Sequence, residues 1–206
     1  MIAAMNRLRW MLPALGLLMC AAFASAQPVD GPFTAVGPVP ARRSAATVTV
    51  EVFINFTCPH CNDFRTMAKP VFQKHGKRLK MVLHPILFPG QGEAPLRLFF
   101  VAQAHGKGEQ METALFEAAF NYGVNIYDPA VVNYLARGND LADAYQKEGG
   151  SEAITGKIAA SRSLADKYGV NSTPSLVLQK SLLLAPDRAM SEFVAGFDGV
   201  VGKLLK

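Results

Sequence analysis

The corner at Phe56-Thr57-Cys58-Pro59-His60-Cys61 constrains this chain most. Thr47 to Phe56 is β-branched and aromatic, a composition that predicts a buried strand. Pro59 then suits the first position of a helix, where the backbone N–H it lacks would have had no intrahelical partner. The spacing predicts a helix from Pro59 to His75, kinked at Pro70 and closed by Gly76, followed by a second strand at Leu79–Leu83. A strand therefore delivers Cys58 to the start of a helix, and Cys61 follows one turn later on the same side.

The rest of the chain completes an α/β pattern. Gln27 to Ser44 is rich in Pro and Gly and reads as a lead-in with a short edge strand near Phe33–Val36. Residues 84–95 read as a loop. A helical insertion is predicted at about 94–149. Leu96, Phe99 and Phe100 open it, Met111, Leu115, Ala118 and Ala119 continue at helical spacing, and Asp128-Pro129 caps a further helix. The Phe99-Phe100 and Phe116/Phe120 pairs belong to the insertion's core. Ser151 to Tyr168 is another helix, stopped by Gly169. Strands at Ser175–Gln179 and Leu182–Ala185 form a hairpin turning at Lys180-Ser181, and Asp187 to Lys206 is a last helix weakened by Gly196, Gly199 and Gly202. A strand–helix–strand unit followed by a hairpin gives a mixed central sheet flanked by helices.

The first 26 residues read as a secretory signal. Arg7 and Arg9 precede an apolar stretch from Trp10 to Met19, and Ala24-Ser25-Ala26 supplies the small residues of a cleavage site before Gln27. Cys20 is a poor lipid-anchor site, because bulky Met19 precedes it. Export and cleavage would leave Cys58 and Cys61 as the cysteines of the mature chain, excluding a structural disulfide framework. They would also take the formal charge from +5 to +3 by removing Arg7 and Arg9. The basic residues are scattered, which argues against a nucleic-acid partner.

A Cys-x-x-Cys serves several chemistries. Structural zinc needs further ligands, yet a second pair is lacking and His75, His84 and His105 have no ligand spacing. Covalent haem needs histidine after the second cysteine, where Asn62 stands. A structural disulfide is compatible with the spacing but closes so short a loop that it restricts the unfolded chain little. A redox-active dithiol explains the position. Unpaired N–H groups and the helix dipole stabilise a thiolate at Cys58, which becomes both an available nucleophile and a good leaving group. Cys61 can attack a mixed disulfide at Cys58 and release the bound partner. His60, between them, can add positive charge that favours the thiolate. No cofactor or metal is required.

Thr173-Pro174 is the second constellation. A proline before a strand is ordinarily a turn, but combined with the upstream dithiol in this strand order it reads as a cis-proline loop. With Cys58-Pro59-His60-Cys61, Thr173-Pro174 and the helical insertion between them, the chain resembles the DsbA-like thiol:disulfide oxidoreductases of the bacterial cell envelope, over nearly all of residues 45–206. The resemblance implies a thioredoxin fold interrupted by the insertion. It also implies a periplasmic enzyme that donates a disulfide to exported polypeptides through a Cys58 mixed disulfide resolved by Cys61. Pro59, His60 and Pro174 join the catalytic set, and Thr173 and Pro174 hold an extended substrate segment. A monomer reoxidised by a DsbB-like membrane partner follows from the same likeness.

Two departures keep other readings open. Family members often carry an acid six residues before the first cysteine. Here that residue is Val52, with Glu51 displaced onto the opposite face of the strand. Threonine before the cis-proline is more typical of DsbC- and DsbG-like isomerases, whose strand before the motif also looks like Val52–Thr57. An isomerase or reductase kept reduced by a DsbD-like partner is thus the alternative. A peptide- or metal-binding module, drawing on Met67, Met81, Met111 or Met190, is a more distant one.

Overall fold

A computed structural model describes residues 27–206, so the expected signal segment and Cys20 lie outside the described residues. Strand β1 (Thr34–Ala35) lies in the lead-in and β2 (Val48–Ile54) is the buried run before the cysteines. The other strands are β3 (Leu79–Pro85), β4 (Ser175–Leu178) and β5 (Leu182–Leu184). They form one mixed sheet in the order β1-β5-β4-β2-β3. The β2–β3 pair is parallel, as a helical crossover requires, and the remaining pairs are antiparallel.

Both faces of β2 are covered, which is why it reads as a continuous apolar run rather than an alternating one. Val48, Val50, Val52 and Ile54 join a large core shared with Cys61 and Phe64 of α1 (Pro59–Met67) and Phe193, Phe197 and Val201 of α8 (Met190–Leu204). Phe53, on the opposite face, packs with Val177 and with Ala165 and Tyr168 of α7 (Glu152–Tyr168). Between β3 and α7 run α3 (Ala94–Ala104), α4 (Gly108–Phe120), α5 (Pro129–Gly138) and α6 (Ala142–Glu148). Their core reaches the site directly. Phe56, just past β2, lies 5.6 Å from Phe99 of α3 and 5.4 Å from Phe116 of α4, ring centre to ring centre.

Four local readings needed revision. The helix predicted over 59–75 is two helices, α1 and α2 (Lys69–His75), divided at Ala68. Pro70 has no N–H to give to the preceding turn and its ring crowds the carbonyl four residues back, so the helix restarts instead of merely bending. Strand β3 runs on through His84 and Pro85, which pair with Phe53 and Ile54. A proline is tolerated there because β3 is an edge strand. The β4–β5 turn centres on Gln179-Lys180, one residue earlier than expected. Both have positive φ (50° and 59°), and Ser181 N–H donates to the Leu178 carbonyl. The last helix starts at Met190, three residues later than expected, because Ala189 is its N-cap and has non-helical backbone angles (φ −54°, ψ 142°).

Gly196 has a use that helix propensity alone conceals. Glycine in a helix interior costs about 1 kcal/mol relative to alanine. At this position, however, a Cβ would stand 2.7 Å from Cγ of Pro32, and at Gly31 it would stand 2.7 Å from Val200 Cγ2. The two glycines let the lead-in lie flat on α8. Of the helices among the described residues, none is long and apolar enough to cross a membrane.

Candidate active site

Cys58 is the N-cap of α1, with extended φ and ψ of −86° and 118°. The corner is closed by two backbone bonds: Cys58 N–H donates to the Asn55 carbonyl at 3.0 Å and Cys61 N–H to the Cys58 carbonyl at 3.1 Å. Cys58 is half-buried, Cys61 is 1% exposed, and both are free thiols. The first turn of α1 carries no acidic side chain to oppose a negative sulfur.

Across from the sulfur, the Thr173–Pro174 peptide is cis. The neutral Cys58 thiol donates to the Thr173 carbonyl at 3.3 Å. Two segments separated by more than a hundred residues therefore meet at one atom. They meet because Phe53 at the end of β2 pairs with Ser175 at the start of β4. Thr173 is buried and its hydroxyl has no partner among the described residues, leaving it free to donate to the sulfur once the thiol proton is gone.

The electrostatics separate the two cysteines. A hydrogen bond from the Cys61 thiol, aided by the Thr173 hydroxyl and the backbone N–H groups of Cys61 and His60, holds Cys58 down from 9.0 to about 5 against the opposing effect of burial. Burial above all, and then the bond to Cys58, pushes Cys61 far up, so it stays a neutral thiol. One sulfur is thus ionised at neutral pH and the other supplies the proton that stabilises it. Because the thiolate stabilises the reduced protein, the corresponding disulfide is the stronger oxidant.

Of the residues singled out from sequence, Cys58, Cys61, Thr173 and Pro174 come together here. Pro59 and His60 are exposed at the start of α1. The backbone N–H of His60 is among the groups that lower Cys58. Val52 is buried on the same side as Cys61, whereas Glu51 faces away and binds His84 Nε2 at 2.5 Å. Sequence reasoning passed over Asn55, which is 1% exposed and lies beside the corner. Its only signal was a polar amide inside an apolar run.

The sign of the pH dependence follows. Alkylation of the reduced protein by iodoacetamide should stay constant from neutral pH down to about 5, then fall tenfold per unit as Cys58 takes its proton. Since Cys58 is less basic folded than unfolded, its contribution to the stability of the reduced protein grows as pH rises from about 5 to 9.0 and is lost as pH falls back to 5, whereas above 9.0 the buried Cys61, held neutral, works against the folded state. A midpoint of alkylation near the ordinary thiol value would contradict both statements.

A helix-flanked mixed sheet with an ionised sulfur at a strand–helix corner, opposed by a cis-proline loop, defines a thiol:disulfide oxidoreductase of thioredoxin fold. The model of the DSBA-like thioredoxin domain matches residues 49–196, and the chain belongs to that family. Two relatives carry the name thiol:disulfide interchange protein DsbA. The one from Burkholderia cepacia is 28% identical over 204 residues, covering 95% of this chain and 93% of that protein. The one from Pseudomonas syringae pv. tomato is 28% identical over 141 residues, 68% of this chain, which spans 65% of that protein's length. Among solved structures, the oxidoreductase DsbA of Xylella fastidiosa has a TM-score of 0.69 at 22% identity, covering 82% of this chain and 93% of its own. DsbA of Pseudomonas aeruginosa has a TM-score of 0.68 at 21% identity, covering 84% and 92%. These two likenesses show the fold.

Proposed function

We propose that this chain oxidises thiols of exported polypeptides in the periplasm, with Cys58 as the sulfur that is attacked and Cys61 as its internal partner. The observation that carries the reading is the opposed setting of the two sulfurs, one near 5 and one held neutral by burial. In the oxidised protein a substrate thiolate attacks Cys58 Sγ, the Cys58–Cys61 bond breaks, and Cys61 leaves with the electron pair and takes up a proton. A second substrate thiolate then attacks the substrate sulfur of the mixed disulfide. Cys58 departs as the stabilised thiolate, and the substrate holds the new disulfide. Attack by Cys61 runs the first step backwards and frees the substrate still reduced. Each full cycle leaves two electrons on the protein, which a DsbB-like membrane partner would remove.

The backbone of Thr173 and Pro174 lies beside Cys58, where an extended substrate segment can bind. Pro59 starts α1 without a wasted N–H, and His60 contributes through its backbone. The chain divides into a signal at 1–26, a lead-in at 27–44 and a thioredoxin-like domain at 45–206 interrupted at about 94–149, acting as a monomer. Equilibration of the mature protein with glutathione buffers tests the direction of electron flow. The expected potential lies nearer the roughly −120 mV of DsbA than the roughly −270 mV of thioredoxin, a gap worth about 7 kcal/mol. A value at the thioredoxin end would replace the oxidase with a reductase or isomerase served by a DsbD-like partner.

A further inference from the structure

We propose that Gln91 is a positioning residue for the exchange reaction. Through Thr57 and Asn55 it holds the corner before α1 in the one setting that keeps the Cys58 sulfur over the first helical turn. The inference rests on Cys58 being the reacting sulfur.

Gln91 ends a turn that begins at Phe88. Its N–H donates to the Phe88 carbonyl at 3.2 Å, with Pro89 and Gly90 between them. Gly90 has a φ of +85°, the conformation that favours glycine at the third place of such a turn. The side chain reaches back across the site. Gln91 Oε1 accepts from Asn55 Nδ2 at 2.6 Å and from Phe88 N–H at 2.8 Å, and Nε2 donates to Thr57 Oγ1 at 3.2 Å. Asn55 spends its whole amide here. Nδ2 also donates to the Ile86 carbonyl at 2.9 Å, while Oδ1 accepts from Thr57 N–H at 3.0 Å and from Thr57 Oγ1 at 2.8 Å.

The direction of every bond is determined. The Phe88 N–H can only donate and the Ile86 carbonyl can only accept, which sets how each amide faces. Thr57 has one hydroxyl proton, and Asn55 Oδ1 takes it. Tyr127, 3.0 Å from Thr57 Oγ1, must therefore be the donor in that contact. Burial pushes the Tyr127 phenol above its ordinary 10.0, so it remains a neutral donor at working pH. The network joins the corner, the Phe88–Gln91 turn and the loop before α5.

Its output is the corner itself. Thr57 N–H goes to the Asn55 side chain and Cys58 N–H to the Asn55 main-chain carbonyl, so Asn55 holds both peptides that lead into Cys58, the first of them through its side-chain rotation. Removing Gln91 takes a partner from Asn55 Nδ2 and from Thr57 Oγ1 in a partly buried place, where groups without partners reorient to find others. The sulfur then loses its alignment with the N–H groups of His60 and Cys61.

The test measures the pH midpoint of iodoacetamide alkylation at Cys58, localised by mass spectrometry, beside the thermal midpoint. Gln91→Met keeps the chain length and removes both polar atoms. It should raise the Cys58 midpoint by about one pH unit relative to wild type, which is a tenfold change in the ionisation constant. Thr57→Val should give a similar rise and Thr57→Ser should restore the wild-type midpoint. The Gln91→Met/Thr57→Val double variant should move no further than either single, because both act by releasing the Asn55 side chain. If Gln91→Met does not fold, Gln91→Leu takes its place in the same comparison. A wild-type midpoint near 5 that stays put in the Gln91 variant overturns the inference, even where the thermal midpoint drops. A wild-type midpoint at the ordinary thiol value overturns it together with the function on which it rests.

Discussion

Cys58→Ser reduces oxidation of a dithiol peptide to the uncatalysed background, a loss of roughly a thousandfold or more, the scale expected for an essential nucleophile. The residue is half-buried and serine differs from it by one atom, so the fold tolerates the change. What disappears is the chemistry. A thiol held near 5 is almost wholly ionised at neutral pH, whereas an alcohol has essentially no anion there and forms no bond that a second sulfur could break. The measurement is a peptide-oxidation assay by fluorescence or mass, paired with the thermal midpoint of the variant. Activity that survived in a folded Cys58→Ser protein would remove the dithiol from the mechanism and leave a binding module in its place.

Cys61→Ser gives the opposite signature at the same site: turnover stops, but covalent partners accumulate. Cys58 remains a nucleophile and attacks a disulfide-bonded peptide, forming a mixed disulfide and releasing the other peptide sulfur as a thiol. In the wild type, Cys61 sits behind that bond, reattacks Cys58 and clears it. With serine there, the adduct persists until an external thiol arrives. Non-reducing gels should show near-stoichiometric adduct for Cys61→Ser, a trace for wild type and none for Cys58→Ser. Loss of the Cys61 hydrogen bond, the largest single contribution to the acidity of Cys58, should also shift the Cys58 alkylation midpoint upward. Adduct formation through Cys61 in the Cys58→Ser variant would reverse the assigned roles, although its 1% exposure leaves an incoming sulfur no approach.

The elements around the site were legible because local chemistry specifies them. Asp128 accepts from Ala130 N–H as a side-chain cap should, Ser151 caps α7, and Gly169 ends it in the left-handed conformation. The break at Ala68 was set locally by Pro70, whereas other features were decided at a distance. The edge-strand extension to Pro85 depends on register with β2. Gly196 looked like a weakness until Pro32 was found against it. The backbone N–H of His60 helps to lower Cys58, a contribution that every residue type except proline could make and that residue identity therefore does not signal.

The amino-acid order alone determined that a strand hands Cys58 to the start of a helix with Cys61 one turn behind, because strand propensity, Pro59 and helical periodicity act within a few residues. Only tertiary structure decided how far apart the two sulfurs stand in acidity. That depends on burial of Cys61 under α8 and the β2 core, on Thr173 arriving by pairing of β4 with β2, and on the Asn55–Gln91–Thr57–Tyr127 contacts. Such contacts join residues far apart in the chain, and their energies depend on distance and solvent exclusion, quantities that exist only once the chain has closed on itself.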